Sequence, residues 1–176
     1  MANSIEVLNH AADNIRILAA ASVEKAKSGH PGGAMGGADF INVLYSEYLN
    51  YDPQNPTWVG RDRFYLDPGH MAPMLYSQLA LIGKYSLEEL AQLRQWGSPT
   101  TGHPEFEVAR GVENTSGPLG QGHTFAVGAA IAAKFLAAQT GNPTFLLRRG
   151  HGGDTLGVGQ MYDVERCVHG FGPGDG

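Results

Sequence analysis

The ten residues Asn114-Thr115-Ser116-Gly117-Pro118-Leu119-Gly120-Gln121-Gly122-His123 decide how this chain folds, and an alanine-rich helical run over residues 124–139 follows them at once. Glycine lets the backbone adopt a positive φ and lets a ligand come close to the main chain. Proline near a first helical turn costs nothing, because its missing N–H would have no partner there. The free N–H groups and positive dipole end of such a helix favour an anionic or polar group. Because a short glycine pattern is weak evidence, an ordinary helix N-terminus without a ligand is the alternative.

Glycine also precedes most of the histidines. It makes up 25 of 176 residues, so chance would place it before about one of the seven histidines, yet it precedes five. A histidine after glycine lies where the backbone bends, and residues at such bends are often presented into a cleft. The five are His30, His70, His103, His123 and His151.

Outward from this stretch, the spacing of apolar residues predicts helices over about 5–27, 34–49 and 71–82. Ser4 is the expected N-cap of the first helix, and the glycines and proline of Ser28-Gly29-His30-Pro31-Gly32-Gly33 end it. Ser86 and Glu89 have the spacing of a capping box, which predicts a short helix to about Leu93. Residues 94–116 read as a long loop, which is typical of functional segments.

Arg63-Phe64-Tyr65-Leu66 is a short apolar run that we interpret as a buried strand delivering His70 at its carboxyl end. The predicted order of elements is two helices, a strand, a helix, a loop and a helix. This order indicates an α/β fold with a parallel sheet flanked by helices. Ligands bind outside the carboxyl ends of the strands in such sheets. His70 and the turn at Gly117 would both lie at that edge.

Composition bounds the class of protein. Apolar residues are 42% and charged residues 16%, which indicates a globular chain. The formal net charge of −5 and the lack of a basic cluster argue against nucleic acid as a partner. We expect no membrane span, because no run reaches 18 uninterrupted apolar residues. The single cysteine, Cys167, fits a reducing compartment, so the expected location is cytoplasmic.

Four glycine-containing motifs stand out along the chain: Ser28-Gly29-His30-Pro31-Gly32-Gly33, Pro68-Gly69-His70, Gly102-His103-Pro104-Glu105 and Gly117-Pro118-Leu119-Gly120-Gln121-Gly122. In this order and at about this spacing, they resemble the N-terminal part of transketolase. The resemblance covers residues 5–141, roughly four fifths of the chain. Deoxyxylulose-phosphate synthase and the first component of pyruvate dehydrogenase share the fold, but the pairing of His-Pro-Gly-Gly with Gly-His-Pro-Glu is more similar to transketolase.

The resemblance implies a thiamine-diphosphate-binding fold and an activity. The family enzyme transfers a two-carbon ketol unit from a ketose phosphate to an aldose phosphate, with thiamine diphosphate and Mg²⁺ as cofactors. A complete enzyme of this kind is a homodimer with its active site between the subunits. By similarity His30 and His103 would be catalytic, facing the reacting sugar, where an imidazole can hydrogen-bond hydroxyls and pass protons.

The resemblance also implies which residues bind the cofactor. His70 would reach the diphosphate side of the pocket as a donor to anionic oxygen. Gly117, Pro118 and Leu119 would lie against the cofactor rings, with glycine where a side chain would collide. We expect His123 to be a helix-start residue rather than a catalyst.

The resemblance breaks after Asn142, where the hydrophobic pattern is lost. In the family a buried strand leads to an Asp-Gly pair, and that aspartate and a later asparagine hold Mg²⁺. Spacing places the aspartate near Asp154, our candidate metal ligand, but the expected strand over 144–149 carries two arginines. No asparagine follows Asn142, so with one candidate ligand the metal site is expected to be incomplete.

We therefore expect two parts, a thiamine-diphosphate-binding part over 1–142 that is incomplete at its C-terminal end and an aberrant glycine-rich tail over 143–176. A reading-frame slip would produce such a tail, and a divergent ending of a naturally short subunit is the alternative. Three functions stay open. The chain is an N-terminal fragment of a transketolase, active in a complete enzyme or as one subunit of a split or related one. Otherwise it is a catalytically inert fragment, or a non-enzymatic domain that binds another phosphate ligand.

Overall fold

The computed structural model describes residues 3–141. None of the helices in this range is long and apolar enough to cross a membrane. The α-helices are α1 (Ile5–Ala26), α2 (Pro31–Gly36), α3 (Ala38–Val43), α4 (Ala72–Leu81), α5 (Leu87–Leu90) and α6 (Gln121–Thr140). Shorter turns are a π-helical turn at Leu44–Tyr48 and 3₁₀ turns at Gly69–Met71 and Val108–Arg110.

Helix α1 forms where the apolar spacing predicts it. The Ser4 side chain caps it by accepting a hydrogen bond from the Val7 N–H at 3.3 Å. Lys27 ends it in the left-handed conformation. Its buried face is Ala12, Ile15, Ala19 and Ser22, and it packs against α2, α3 and α4.

The second predicted helix is broken into segments and begins earlier than expected. It begins at Pro31 because proline is favoured at the first helical position, where no N–H is needed. Gly37 separates α2 from α3, and a Cβ there would lie 2.5 Å from Met74 Sδ. The break therefore lies where α4 approaches most closely.

Helix α4 is buried along most of its length, over residues 72–79. It contacts α1, α2, α3 and α5 and forms the centre of the apolar core. A helix that is apolar on all sides is expected in such a position. Its largest fully buried side chains are Met74, Leu75, Tyr76 and Leu79.

Among the described residues no strand is formed, so the strand predicted at Arg63–Leu66 is not observed. The segment lies in the core with Phe64 and Leu66 buried, and within residues 3–141 the Leu66 backbone pairs with a side chain. The Asn114 side chain accepts a hydrogen bond from the Leu66 N–H at 3.1 Å and donates to the Leu66 carbonyl at 3.4 Å. Buried backbone groups need partners, and one amide side chain supplies both. The expected neighbouring strand at 144–149 lies outside the described residues, so the parallel sheet is not observed here.

The remaining segments follow the sequence prediction closely. Both hydrogen bonds of the Ser86–Glu89 capping box are present at the first turn of α5. Residues 94–116 form a loop with one antiparallel bridge between Glu107 and Val112. Helix α6 follows the glycine-rich stretch, and Gly120 occupies its N-cap position at φ 89°.

Candidate functional site

Three of the predicted site histidines lie together. His30 is the N-cap residue of α2, and His70 lies in the 3₁₀ turn that precedes α4. Their ring centroids are 4.7 Å apart. His103 comes from the long loop, and a Cβ on Gly69 would lie 3.3 Å from its Cδ2 atom. Elements distant in sequence therefore bring three imidazoles to one place.

Two of the three imidazoles have a lowered pKa. Partial burial lowers the pKa of His70, the His30 and His103 rings lower it further, and Asp67 opposes the change. The pKa of His103 is also lowered, first by burial, then by the Arg94 guanidinium and by His30. Both groups therefore titrate below the ordinary histidine pKa of about 6.5, so they are neutral at pH 7. A neutral imidazole can donate from one ring nitrogen and accept at the other.

Arg94 lies between the two histidine-bearing turns. Its Nη1 donates to the Ser28 Oγ at 3.1 Å, and a Cβ on Gly102 would lie 2.9 Å from its Nε. The guanidinium thus touches residues close to His30 on one side and the residue before His103 on the other. The sequence analysis missed Arg94, because nothing local in residues 93–95 indicates contacts to turns this distant.

A second contact chain anchors His103 to the core. The Thr101 hydroxyl donates to the His103 carbonyl and shares a 3.0 Å hydrogen bond with the Tyr76 hydroxyl. Tyr76 is buried in α4, and this burial raises its pKa to about 12. The loop backbone at His103 is therefore anchored to α4 through Thr101 and Tyr76, while the His103 side chain stays exposed.

The glycine-rich turn lies beside the histidines and leaves one side open. A Cβ on Gly69 would lie 2.4 Å from the Ser116 carbonyl oxygen, so the His70 turn and the residue before Gly117 are in direct contact. A Cβ on Gly117 would meet nothing within 4 Å. Pro118 is exposed, and Leu119 presents 75% of its surface although it is apolar. Open space beside exposed apolar side chains is a surface that a flat organic ligand fits.

The first turn of α6 is less free than the sequence indicates. The Gly120 N–H donates to Asp67 Oδ1 at 3.1 Å, and the Gly117 N–H donates to the Gln121 side chain at 3.1 Å. These two donors are thus satisfied within the chain. The chain itself therefore supplies the polar partners at these two positions, and Asp67 provides the negative charge that a helix N-terminus favours.

The sequence did not reveal a role for Asp67, whereas His123 lies at a helix start as expected. His123 lies in the first turn of α6, and its Nδ1 is 2.8 Å from Asp67 Oδ2. An aspartate directly before Pro-Gly-His, together with a helix start that lacks a capping side chain, is the signal that could have indicated the pair.

The metal ligand predicted at Asp154 lies outside the described residues. Within residues 3–141 no cluster of three or more histidine, cysteine or acidic side chains is arranged to hold a metal ion. The described part of the chain thus provides donors for a ligand's polar groups, but no metal centre.

Comparison with known proteins identifies the family of the chain. Residues 7–156 match the family model "Transketolase, thiamine diphosphate binding domain". The transketolase of Geobacillus stearothermophilus is 52% identical over 139 residues, which is 78% of this chain and 20% of that protein. The transketolase structure from Leishmania mexicana has a TM-score of 0.72 at 46% identity, over 81% of this chain and 21% of that chain. A Pichia stipitis transketolase in complex with sedoheptulose 7-phosphate has a TM-score of 0.68 at 40% identity, over 75% of this chain and 20% of that chain.

The match over most of the chain defines a thiamine-diphosphate-binding domain of the α/β class. The chain belongs to the transketolase family. It spans about a fifth of the length of the relatives it matches.

Proposed function

We propose that this chain supplies the first part of a transketolase active site, in an enzyme that transfers a two-carbon ketol unit from a ketose phosphate to an aldose phosphate. The observation that carries the proposal is the convergence of His30, His70 and His103 beside the open side of the Gly117 turn. An ordinary glycine-rich helix N-terminus would not need three imidazoles from separate elements next to it.

The residues present fit thiamine diphosphate at this turn. The open space at Gly117 and the exposed Pro118 and Leu119 side chains form an apolar surface for the rings. His70 lies beside this surface through the Gly69–Ser116 contact and can donate a hydrogen bond to a diphosphate oxygen. When bound, thiamine diphosphate supplies the carbanion chemistry that amino acid side chains cannot.

His30 and His103 then bind the sugar substrate and transfer protons to and from it. Both side chains reach solvent, and the pKa of His103 is lowered by the partial burial of its ring and by Arg94, which favours the neutral imidazole. A neutral imidazole can hydrogen-bond a sugar hydroxyl and accept its proton, and the imidazolium then returns the proton to a developing alkoxide. The His30 ring lies within contact of His70, so a hydroxyl held by His30 would be close to the cofactor.

Further features of the complete enzyme are part of the same proposal. We expect Mg²⁺ with Asp154 as one ligand, a homodimer and a cytoplasmic location. Sugar phosphates as substrates are supported by the Pichia stipitis transketolase structures in complex with sedoheptulose 7-phosphate and fructose 6-phosphate. Carboxylate oxygen is the donor that Mg²⁺ prefers.

Titration calorimetry of the full 176-residue chain with thiamine diphosphate and Mg²⁺ tests the proposal. We expect metal-dependent binding that His70→Leu weakens by about 10-fold or more, because leucine has no donor and a hydrogen bond to a charged group contributes about 1.5–3 kcal/mol. His10→Leu is the matched control, since His10 is exposed in α1 far from the cluster in sequence, and it should leave binding unchanged.

The same titration separates the alternatives. No binding by the unaltered chain would support a catalytically inert fragment and contradict the proposal for this chain. Equal binding of inorganic pyrophosphate without Mg²⁺ would support a non-enzymatic phosphate-binding domain.

A further inference from the structure

A buried carboxylate closes the N-terminus of α6. Asp67 is 8% exposed, although it belongs to the same turn as His70. Its Oδ1 accepts from the Gly120 N–H at 3.1 Å, and its Oδ2 lies 2.8 Å from His123 Nδ1 and 3.5 Å from the His123 backbone N. Because an ionised carboxylate only accepts hydrogen bonds, Nδ1 is the donor in its contact with His123.

Helix α6 requires such a partner. Its N-cap residue is Gly120, which has no side chain to accept from the first N–H groups. A helix normally fills this need with a side-chain oxygen of its own N-cap residue. Here the oxygen comes from a residue more than fifty positions earlier. The negative charge also interacts favourably with the positive end of the helix dipole.

Two close backbone approaches fix the position of Asp67 relative to the N-terminus of α6. A Cβ on Gly122 would lie 2.1 Å from the Leu66 carbonyl oxygen and 2.6 Å from Asp67 Cβ. A Cβ on Gly69 would lie 2.4 Å from the Ser116 carbonyl oxygen. Residues 66 and 69, on either side of Asp67, are thus in backbone contact with Gly122 and Ser116.

We propose that Asp67, held in place by His123, is a positioning residue that fixes the Gly117–Leu119 turn against the His70 turn. This inference rests on the proposed function for its consequence in cofactor binding, but not for its structural content. It also means that the diphosphate is not bound by the Gly120 N–H, which is already occupied. The cofactor's negative charge must instead be held on the His70 side.

The test measures amide hydrogen exchange at Gly120 and thiamine diphosphate affinity in the full chain. In Asp67→Ala the Gly120 amide should exchange at least about 10-fold faster, because its acceptor is gone. Thiamine diphosphate should bind about 10-fold more weakly, while pyrophosphate added to Asp67→Ala should now protect the Gly120 amide. Asp39→Ala is the matched control, since Asp39 is an exposed carboxylate paired with Arg16, and it should change neither quantity.

A second variant addresses the case in which Asp67→Ala fails to fold. His123→Gln removes the ring contact but leaves the carboxylate, so we expect a smaller increase in Gly120 exchange and a smaller loss of affinity. In the double variant Asp67→Ala/His123→Gln, the losses should be less than additive, because the two side chains act as one unit. The ¹⁵N shifts of the unaltered chain should show His123 protonated at Nδ1.

Two outcomes would overturn the inference. One is a Gly120 amide that exchanges at the same rate with and without Asp67. The other is strict additivity of the two substitutions. If the unaltered chain binds no thiamine diphosphate, the proposed function fails, while the exchange and ¹⁵N measurements still decide the role of Asp67.

Discussion

Glycine precedes each of the three clustered histidines, and the structure gives a different reason in each case. Gly29 has φ 139°, a conformation that other residues rarely adopt. Gly69 has no room for a Cβ because the Ser116 carbonyl lies against it, whereas a Cβ on Gly102 would displace the Arg94 side chain. The pattern of glycine before histidine therefore reflects one positive φ, one close backbone approach and one side-chain contact. All three place an imidazole where neighbouring segments meet.

Arg94→Ala should raise the pKa of His103. The guanidinium is the second-largest cause of the lowered pKa, after burial, so removing the positive charge makes protonation easier. The pKa should stay below about 6.5, because burial and His30 continue to lower it. Titration of the His103 ring by NMR measures the change.

Two further variants show whether the charge or the contact is responsible. Arg94→Lys keeps a positive charge in the same region and should raise the pKa of His103 less than Arg94→Ala does. Arg16→Ala removes a guanidinium that pairs with Asp13 and Asp39 and should have no effect. A His103 pKa that is the same with alanine and arginine at position 94 would contradict the electrostatic explanation.

At the scale of elements, the segment Arg63–Leu66 and helix α6 are in direct contact at Gly122. The helix approaches the Leu66 carbonyl so closely that no side chain fits between them. Gly128, further along the same helix, would have nothing within 4 Å of an added Cβ. One helix thus offers two glycines with opposite requirements.

Gly122→Ala and Gly128→Ala should therefore change stability in opposite directions. Gly122→Ala should lower the free energy of unfolding by about 1–3 kcal/mol or more, since the added methyl group would force the backbone apart. Gly128→Ala should raise it by about 0.5–1 kcal/mol, because alanine restricts the unfolded chain and favours helix. Chemical denaturation of both variants measures the difference, and a similar change in both would show that the close approach is not important.

The helices could be predicted from the sequence because their signals are local. Ser4 and the Ser86–Glu89 pair lie within a few residues of the N–H groups they satisfy. From the sequence, Pro31 is interpreted only as the end of the first helix, although it begins α2. The strand at Arg63–Leu66 could not be judged in the same way, since an apolar run shows burial but not what pairs with its backbone. That partner is the side chain of Asn114, 48 positions away.

The candidate site shows the same division. The predicted histidines do lie together, and the motifs that carry them also pointed to the family that the comparison identifies. Arg94 and Asp67 were missed, since each acts on a turn far away in sequence. Whether the predicted residues bind thiamine diphosphate stays a prediction.

At the scale of the whole molecule, the described residues divide into a buried core and a long helix attached mainly through its first turn. The core lies where α1 and α4 pack, with α2 and α3 beside them. Helix α6 buries only Gly122, Ala130 and Ala133 within its own length. Its large apolar side chains are exposed: Phe125, Ile131, Phe135 and Leu136. Local stability should accordingly be highest in the core formed by α1, α2, α3 and α4, and lower in α6.

Leu75→Ala and Phe135→Ala should show this contrast. Leu75 is 1% exposed in the centre of α4, so its truncation should cost about 2–5 kcal/mol through lost burial and the cavity left behind. Phe135 is 62% exposed, and although phenylalanine is the larger residue, its truncation should change the free energy of unfolding by no more than about 0.5 kcal/mol. Denaturant titration of the full chain measures both, and amide exchange should be slower in α4 than in the second half of α6. A loss at Phe135 as large as that at Leu75 would show that this face of α6 is covered in solution, and the division into a core and an attached helix would then be wrong.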